Sequence, residues 1–138
     1  MQVYEHKVQY YETDQMGIVH HSNYIRWFEE ARTYFLEVHG FGYDKMEASG
    51  VMSPVIGITA NYKTMTRFAD VVQIETTLSE YNGIRMTVSY VIRDKNTQEI
   101  RCTGESKHCF LNKEGKPLSL KRSYKEIHQI LLDTMETE

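Results

Sequence analysis

Two cysteines, two prolines and one tryptophan are all that 138 residues hold of these types, and the formal net charge is only −3. Each scarcity excludes a design. Cys102 and Cys109 stand seven apart within one predicted strand, on opposite faces and out of disulfide reach, so they are expected to be reduced thiols packed as small hydrophobes. A charge this close to zero draws in neither nucleic acid nor an anionic membrane surface. No apolar run approaches the roughly 20 residues of a membrane span. The opening MQVYEHKVQ lacks the apolar core of a signal peptide, so export is not expected and the cytoplasm is the default location. No His/Cys pair has zinc-site spacing, and no GxSxG motif, phosphate loop or dinucleotide fingerprint occurs. No metal and no cofactor are therefore expected.

What is present is ordinary for a globular chain, with 41% hydrophobic and 25% charged residues, and an excess of tyrosine, ten in all. The length suits one domain over 1–138 with a single core, and no repeat or linker interrupts it. Residues 3–10 alternate, with Tyr4, His6, Val8 and Tyr10 on one side and Val3, Glu5, Lys7 and Gln9 on the other, which predicts a strand. An irregular stretch follows over 11–22, with Gly17 as a turn or close-approach point. Ser22 and Asn23 are N-cap candidates for a helix running to about Val38. At about 100° per residue, Tyr24, Trp27, Phe28, Ala31, Tyr34, Phe35 and Val38 share one face, opposite Arg26, Glu29, Glu30, Thr33 and Glu37. Gly40 and Gly42 end this helix.

Beyond a polar segment over 43–50 the period becomes two. Strands are predicted over 54–66, 71–81, 84–93 and 99–111, the middle pair joined by a tight Asn82-Gly83 hairpin. Ile84, Met86, Val88, Tyr90 and Ile92 alternate with Arg85, Thr87, Ser89, Val91 and Arg93, so one face is buried, as in an antiparallel sheet. A short helix over 121–135 closes the chain. The long aromatic helix needs an apolar partner surface, and only the sheet is large enough. The expected architecture is α+β, a five-stranded antiparallel sheet wrapped around one long central helix.

The residues with chemical potential cluster over 10–24, YYETDQMGIVHHSNY. Asp14 is a carboxylate just ahead of a helix start. Near His21–Asn23 the first helical N–H groups lack intrahelical partners and can steady an oxygen that becomes negative. A carboxylate beside an oxyanion hole describes acyl transfer to water. Spacing by itself leaves a plainer alternative for each, with Asp14 as a loop or capping residue, His21 as a surface residue and Tyr10 as a strand residue. His20 and His21, being adjacent, should point in different directions and not share a metal.

The run YYETDQMGIVHHSNYIRWFEEAR closely resembles the signature of the hotdog-fold thioesterases of the 4-hydroxybenzoyl-CoA thioesterase and YbgC-like branch. TRFADVVQI, the Asn-Gly hairpin and Lys113–Pro117 extend the resemblance along the chain. It implies a single hotdog domain that hydrolyses acyl-CoA. Asp14 would be the catalytic carboxylate, as nucleophile or as general base on water. The backbone N–H at His21 would polarise the thioester carbonyl, with the His21 side chain also implicated, and Tyr10 would assist. Gly17, Asn23, Tyr24 and Trp27 would contact substrate. Lys63, Arg67, Arg85 and Lys107 are candidates for the CoA phosphates. The family forms homodimers that commonly pair into homotetramers, so a facing subunit would complete each site with residues of about 58–65. Two departures stand out: Glu12-Thr13-Asp14 replaces Asp-Thr-Asp, and His20 stands where Tyr is common. An acyl-carrier-protein thioesterase and a non-catalytic acyl-binding protein are the alternatives.

Overall fold

The computed structural model describes residues 2–137. Five strands, β1 (Gln2–Lys7), β2 (Val55–Tyr62), β3 (Val71–Tyr81), β4 (Arg85–Asp94) and β5 (Ile100–Cys109), form one antiparallel sheet in the order β1-β3-β4-β5-β2. Helix α1 (Ser22–Val38) runs across its concave side, followed by the short α2 (Tyr43–Ser49). This is the expected sheet wrapped around a helix. The alternation in β4 is as expected for Met86, Val88, Tyr90 and Ile92, all buried, while Ile84 lies outside the strand and is exposed.

The centre of the core is aromatic. Phe28 of α1 stacks on Tyr90 of β4 with ring centroids 4.4 Å apart and planes 9° from parallel. Gly104 in β5 makes room for that stack, because a Cβ there would stand 2.8 Å from the Phe28 ring. Trp27, Phe28, Ala31 and Phe35 are buried as the periodicity requires. Tyr34 and Val38 are not: they are 39% and 46% exposed, and Arg32 and Leu36 are buried in their place. The buried stripe follows the i, i+4 row through Tyr24, Phe28, Arg32 and Leu36, and a guanidinium in that row hid it from a hydrophobicity pattern.

Other boundaries move for local reasons. β1 stops at Lys7, and Tyr10–Glu12 form a 3-10 turn, so Tyr10 leaves the strand face and is 78% exposed. β2 ends at Tyr62, four residues early. The hairpin forms, but Asn82 N–H donates to Arg85 O, so Gly83 and Ile84 lie between the closing pair. The Asn82 side-chain oxygen draws the turn forward by accepting from the Ile84 and Arg85 amides, at 3.0 and 2.8 Å. The C-terminal helix breaks at Tyr124 into α3 (Leu120–Ser123) and α4 (Lys125–Glu136). Burial pushes the Cys102 thiol up to about 11, which leaves it protonated and inert at neutral pH.

Candidate active site

The loop over 13–20 doubles back on itself before α1 begins. Thr13 and Val19 form a β-bridge, and Asp14 N–H donates to Ile18 O at 2.8 Å. Gly17, at φ +76°, turns the lap with its N–H on Asp14 O. That backbone is the reason for a glycine here, and open space surrounds the position where a Cβ would stand. The lap rests on the segment after β2: Val19 N–H donates to Thr66 O at 2.8 Å, and Ile18 bridges to Arg67.

A cleft of about 380 Å³ opens between these two segments. Asp14, Met16, Ile18, Val19, His21, Tyr24, Tyr62, Lys63, Thr64 and Met65 line it. Asp14 Oδ1 accepts from the Met16 amide at 2.8 Å, while Oδ2 carries no hydrogen bond among the described residues. The carboxylate is thereby held by one oxygen and presented by the other.

The helix start is more selective than the expectation of several free amides. Ser22 N–H donates to His20 Nδ1 at 3.2 Å, Asn23 N–H to His20 O at 3.0 Å, and Tyr24 N–H to His21 O at 3.3 Å. His20 N–H is used on Glu12 O. Over 20–24 the His21 N–H alone lacks a partner among the described residues, and it belongs to a residue that lines the cleft. His21, not Ser22 or Asn23, occupies the cap position, and the Ser22 hydroxyl is on His20 Nδ1 at 2.9 Å. The two imidazoles, expected to diverge, stack with centroids 4.2 Å apart.

Asp14, His21, Tyr24 and Lys63 thus share one cleft, whereas Tyr10, Gly17, Asn23, Trp27 and Arg67 are not among its lining. Tyr10 packs edge-on against Phe68. Asn23 is buried, and its amide is consumed by Glu12 O at 2.9 Å and Arg26 at 3.4 Å. Trp27 has no exposed surface and donates its indole N–H to Glu12 Oε2 at 2.8 Å. Both support the site from beneath and do not line the cleft. Arg67 meets the loop through its backbone, at the bridge to Ile18. Tyr62–Met65, expected from a facing subunit, wall the cleft of their own chain. Tyr62 sits 5.5 Å from Tyr24, whose hydroxyl donates to Thr66 at 3.1 Å, and burial raises the Tyr24 phenol. Arg85 and Lys107 meet in a separate cleft of about 290 Å³ with Ile56, Tyr81, Asn82 and His108.

Two groups received no role in the sequence reading. Glu12 is a carboxylate only 4% exposed; its partners His6 and Trp27 lie in other elements, and no local spacing announces them. Burial drives the Glu12 carboxyl up, but hydrogen bonds from His6, Gln9 and Trp27 outweigh it and hold it below the usual range. Arg101, which the sequence reading did not name, donates to Thr64 Oγ1 at 3.1 Å and pairs with Asp94 at 3.3 Å, steadying one wall of the cleft.

Residues 8–128 match the thioesterase-like superfamily. The chain belongs to that family. As a member it is a thioester hydrolase, and its fold is the hotdog. It is 36% identical over 125 residues, 90% of each chain, to a Bacillus subtilis protein named "Putative acyl-CoA thioesterase YneP". It is 29% identical over 92 residues, 66% of this chain and 69% of the other, to an Escherichia coli acyl-CoA thioester hydrolase, YbgC. A solved DHNA-CoA thioesterase from Staphylococcus aureus superimposes with a TM-score of 0.91 at 30% identity, covering 97% of this chain and 90% of that one.

Proposed function

We propose that this thioesterase hydrolyses acyl-CoA to the free acid and CoA at the Asp14 cleft. One observation carries the reading: a carboxylate oxygen and a backbone N–H, each without a partner among the described residues, belong to residues of the same cleft. The His21 N–H would donate a hydrogen bond to the thioester oxygen, drawing electrons from the carbonyl carbon and steadying the oxyanion that forms. Asp14 Oδ2 would then take a proton from water as the hydroxide adds, or attack the carbon itself to give a mixed anhydride that water later opens. Either way the C–S bond breaks and the CoA thiolate leaves with a proton. The His21 ring, exposed beside Tyr62, would relay that proton. Tyr10 would act only after substrate or a second subunit covers the loop.

The acyl group would lie among Met16, Ile18, Tyr24, Tyr62 and Met65, with Lys63 at the mouth for the phosphate-bearing half of CoA. Arg85 and Lys107 lie roughly 20 Å away along β2, from Tyr62 back to Ile56 at about 3.3 Å per residue. The names of the relatives support a CoA thioester as the substrate class. We also propose the family's assembly for this chain, a homodimer that pairs into a homotetramer, working in the cytoplasm.

Thiol release from a panel of short, long and aromatic acyl-CoAs tests the reading. Wild type should turn over at least one, and Asp14→Asn should lower kcat by at least about 100-fold, the scale of a lost general base. Hydrolysis untouched by Asp14→Asn overturns the site assignment. Turnover of acyl-carrier-protein thioesters alone overturns CoA as the carrier.

A further inference from the structure

Beneath the catalytic loop lies a carboxylate that the proposed reaction does not use. Glu12 is buried, yet every part of it is engaged. Its Oε1 accepts from the Gln9 amide and from His6 Nε2, both at 2.8 Å, and its Oε2 accepts from the Trp27 indole at 2.8 Å. Its backbone oxygen accepts from the His20 N–H and from Asn23 Nδ2, both at 2.9 Å. These bonds end on β1, on the 3-10 turn and on the first turns of α1. The other nitrogen of His6 meets Glu30 Oε2 at 3.2 Å. The His6 ring thus sits between two carboxylates.

Burying a carboxylate costs several kcal/mol before its partners repay it, and a well-packed apolar group would fill such a space at less expense. The charge makes sense through what it holds. Asp14 follows Glu12 by two residues, and His21 follows His20, the residue whose amide Glu12 fixes. The lap over 13–19 is closed by its own bridge, so its two ends move together, and Glu12 grips both ends.

We propose that Glu12 is a positioning residue for the hydrolysis: clamped by His6, Trp27 and Asn23, it sets the placement of the Asp14 carboxylate relative to the His21 N–H. This role presupposes the assignment of Asp14 and His21 above. Glu12 touches no reacting atom; it acts through the backbone of the loop.

Glu12→Gln keeps the shape but turns an amide N–H₂ against one of the three donors. It should lower kcat about 10- to 100-fold, the scale of a misplacement near 1 Å, with KM changed less than about threefold. Glu12→Asp keeps the charge and should recover part of that loss. Trp27 is the single tryptophan, so its emission reports the bond directly. In wild type it should titrate as Glu12 gains a proton below the usual carboxylate range, and in Glu12→Gln that transition should vanish. Leu131→Ala, in α4 and buried away from the loop, serves as a stability control and should leave kcat unchanged at a similar drop in melting temperature. If Glu12→Gln fails to fold, Trp27→Phe decides, since it removes only one donor; kcat should fall about threefold or more. Folded Glu12→Gln or Trp27→Phe with wild-type kcat overturns the proposal, as does an equal loss in Leu131→Ala. Asp14→Asn measured alongside keeps the two readings apart: an active Asp14→Asn sinks the site assignment, whereas an inactive Asp14→Asn beside a fully active Glu12→Gln sinks the role of Glu12 alone.

Discussion

The two edges of the sheet are made of opposite materials. β1, QVYEHK, points Glu5 outward, where it is tied to Lys95 at 3.2 Å and Gln73 at 2.9 Å. β2, VIGITANY, contains no charged residue and leaves Val55, Ile56, Ile58 and Tyr62 exposed. Charges on an edge strand discourage another chain from pairing with it, and an uncharged apolar edge invites one. The candidate cleft lies at the inviting edge. The buried ionisable groups beneath the sheet differ in the same sense. The β1 side covers the Glu12 carboxylate. The β5 side covers Arg32, whose guanidinium donates to Tyr43 at 2.7 Å, to Tyr90 at 3.0 Å and to Ser106 at 3.4 Å, all neutral hydroxyls. The edge finished with charge is β1, and the edge left bare adjoins the candidate site. That is the physical support for the proposed homodimer through β2.

Breaking the bare edge should have the largest effect. The double variant Ile56→Lys with Ile58→Lys should convert the assembly to monomers, read by sedimentation, and lower kcat/KM by about 100-fold or more, since a 1 Å displacement at a site already reaches that scale. A monomer with full activity would show that one chain completes the site. The smaller effect is on the β5 side. His108 Nδ1–H donates to Ser53 O at 3.2 Å, and its Nε2 meets the Ser106 hydroxyl at 2.8 Å. Burial first, and the Arg32 charge second, push it down to about 4 from 6.5. Between those values the unfolded chain binds more protons than the folded one, so stability rises with pH there and is lost as pH falls from 6.5 toward 4. Denaturant melts across that window should show a wild-type loss on the order of 3 kcal/mol, and His108→Gln should flatten the slope. An unchanged slope would mean that His108 is charged in the fold. Smallest is the finished edge: Glu5→Gln removes an exposed ion pair and should leave melting temperature and kcat at their wild-type values. A marked loss there would overturn the contrast between the edges.

The parts of this molecule that could be read from residue order are those governed by a local period. The alternation of β3 and β4, the helix through Trp27, Phe28 and Phe35, and the cluster of Asp14, Gly17 and His21 all depend on neighbours within a few positions. Tyr10 was misplaced because the strand pattern ran on past the point where Glu12 pulls the chain inward into a 3-10 turn. Trp27 and Asn23 were assigned to substrate because aromatic and amide groups near a site look available, and only contacts across the fold show that Glu12 consumes them.

The order of residues by itself determined the succession of the five strands, the aromatic helix and the candidate carboxylate, because 3.6- and two-residue periods and a contiguous motif are written in the chain. Tertiary structure decided which amide remains free at the helix start, which buried charges have partners, and which sheet edge stays bare. Those outcomes depend on hydrogen bonds between residues as far apart as Arg32 and Ser106, and a donor is free or consumed only once the whole chain has packed around it.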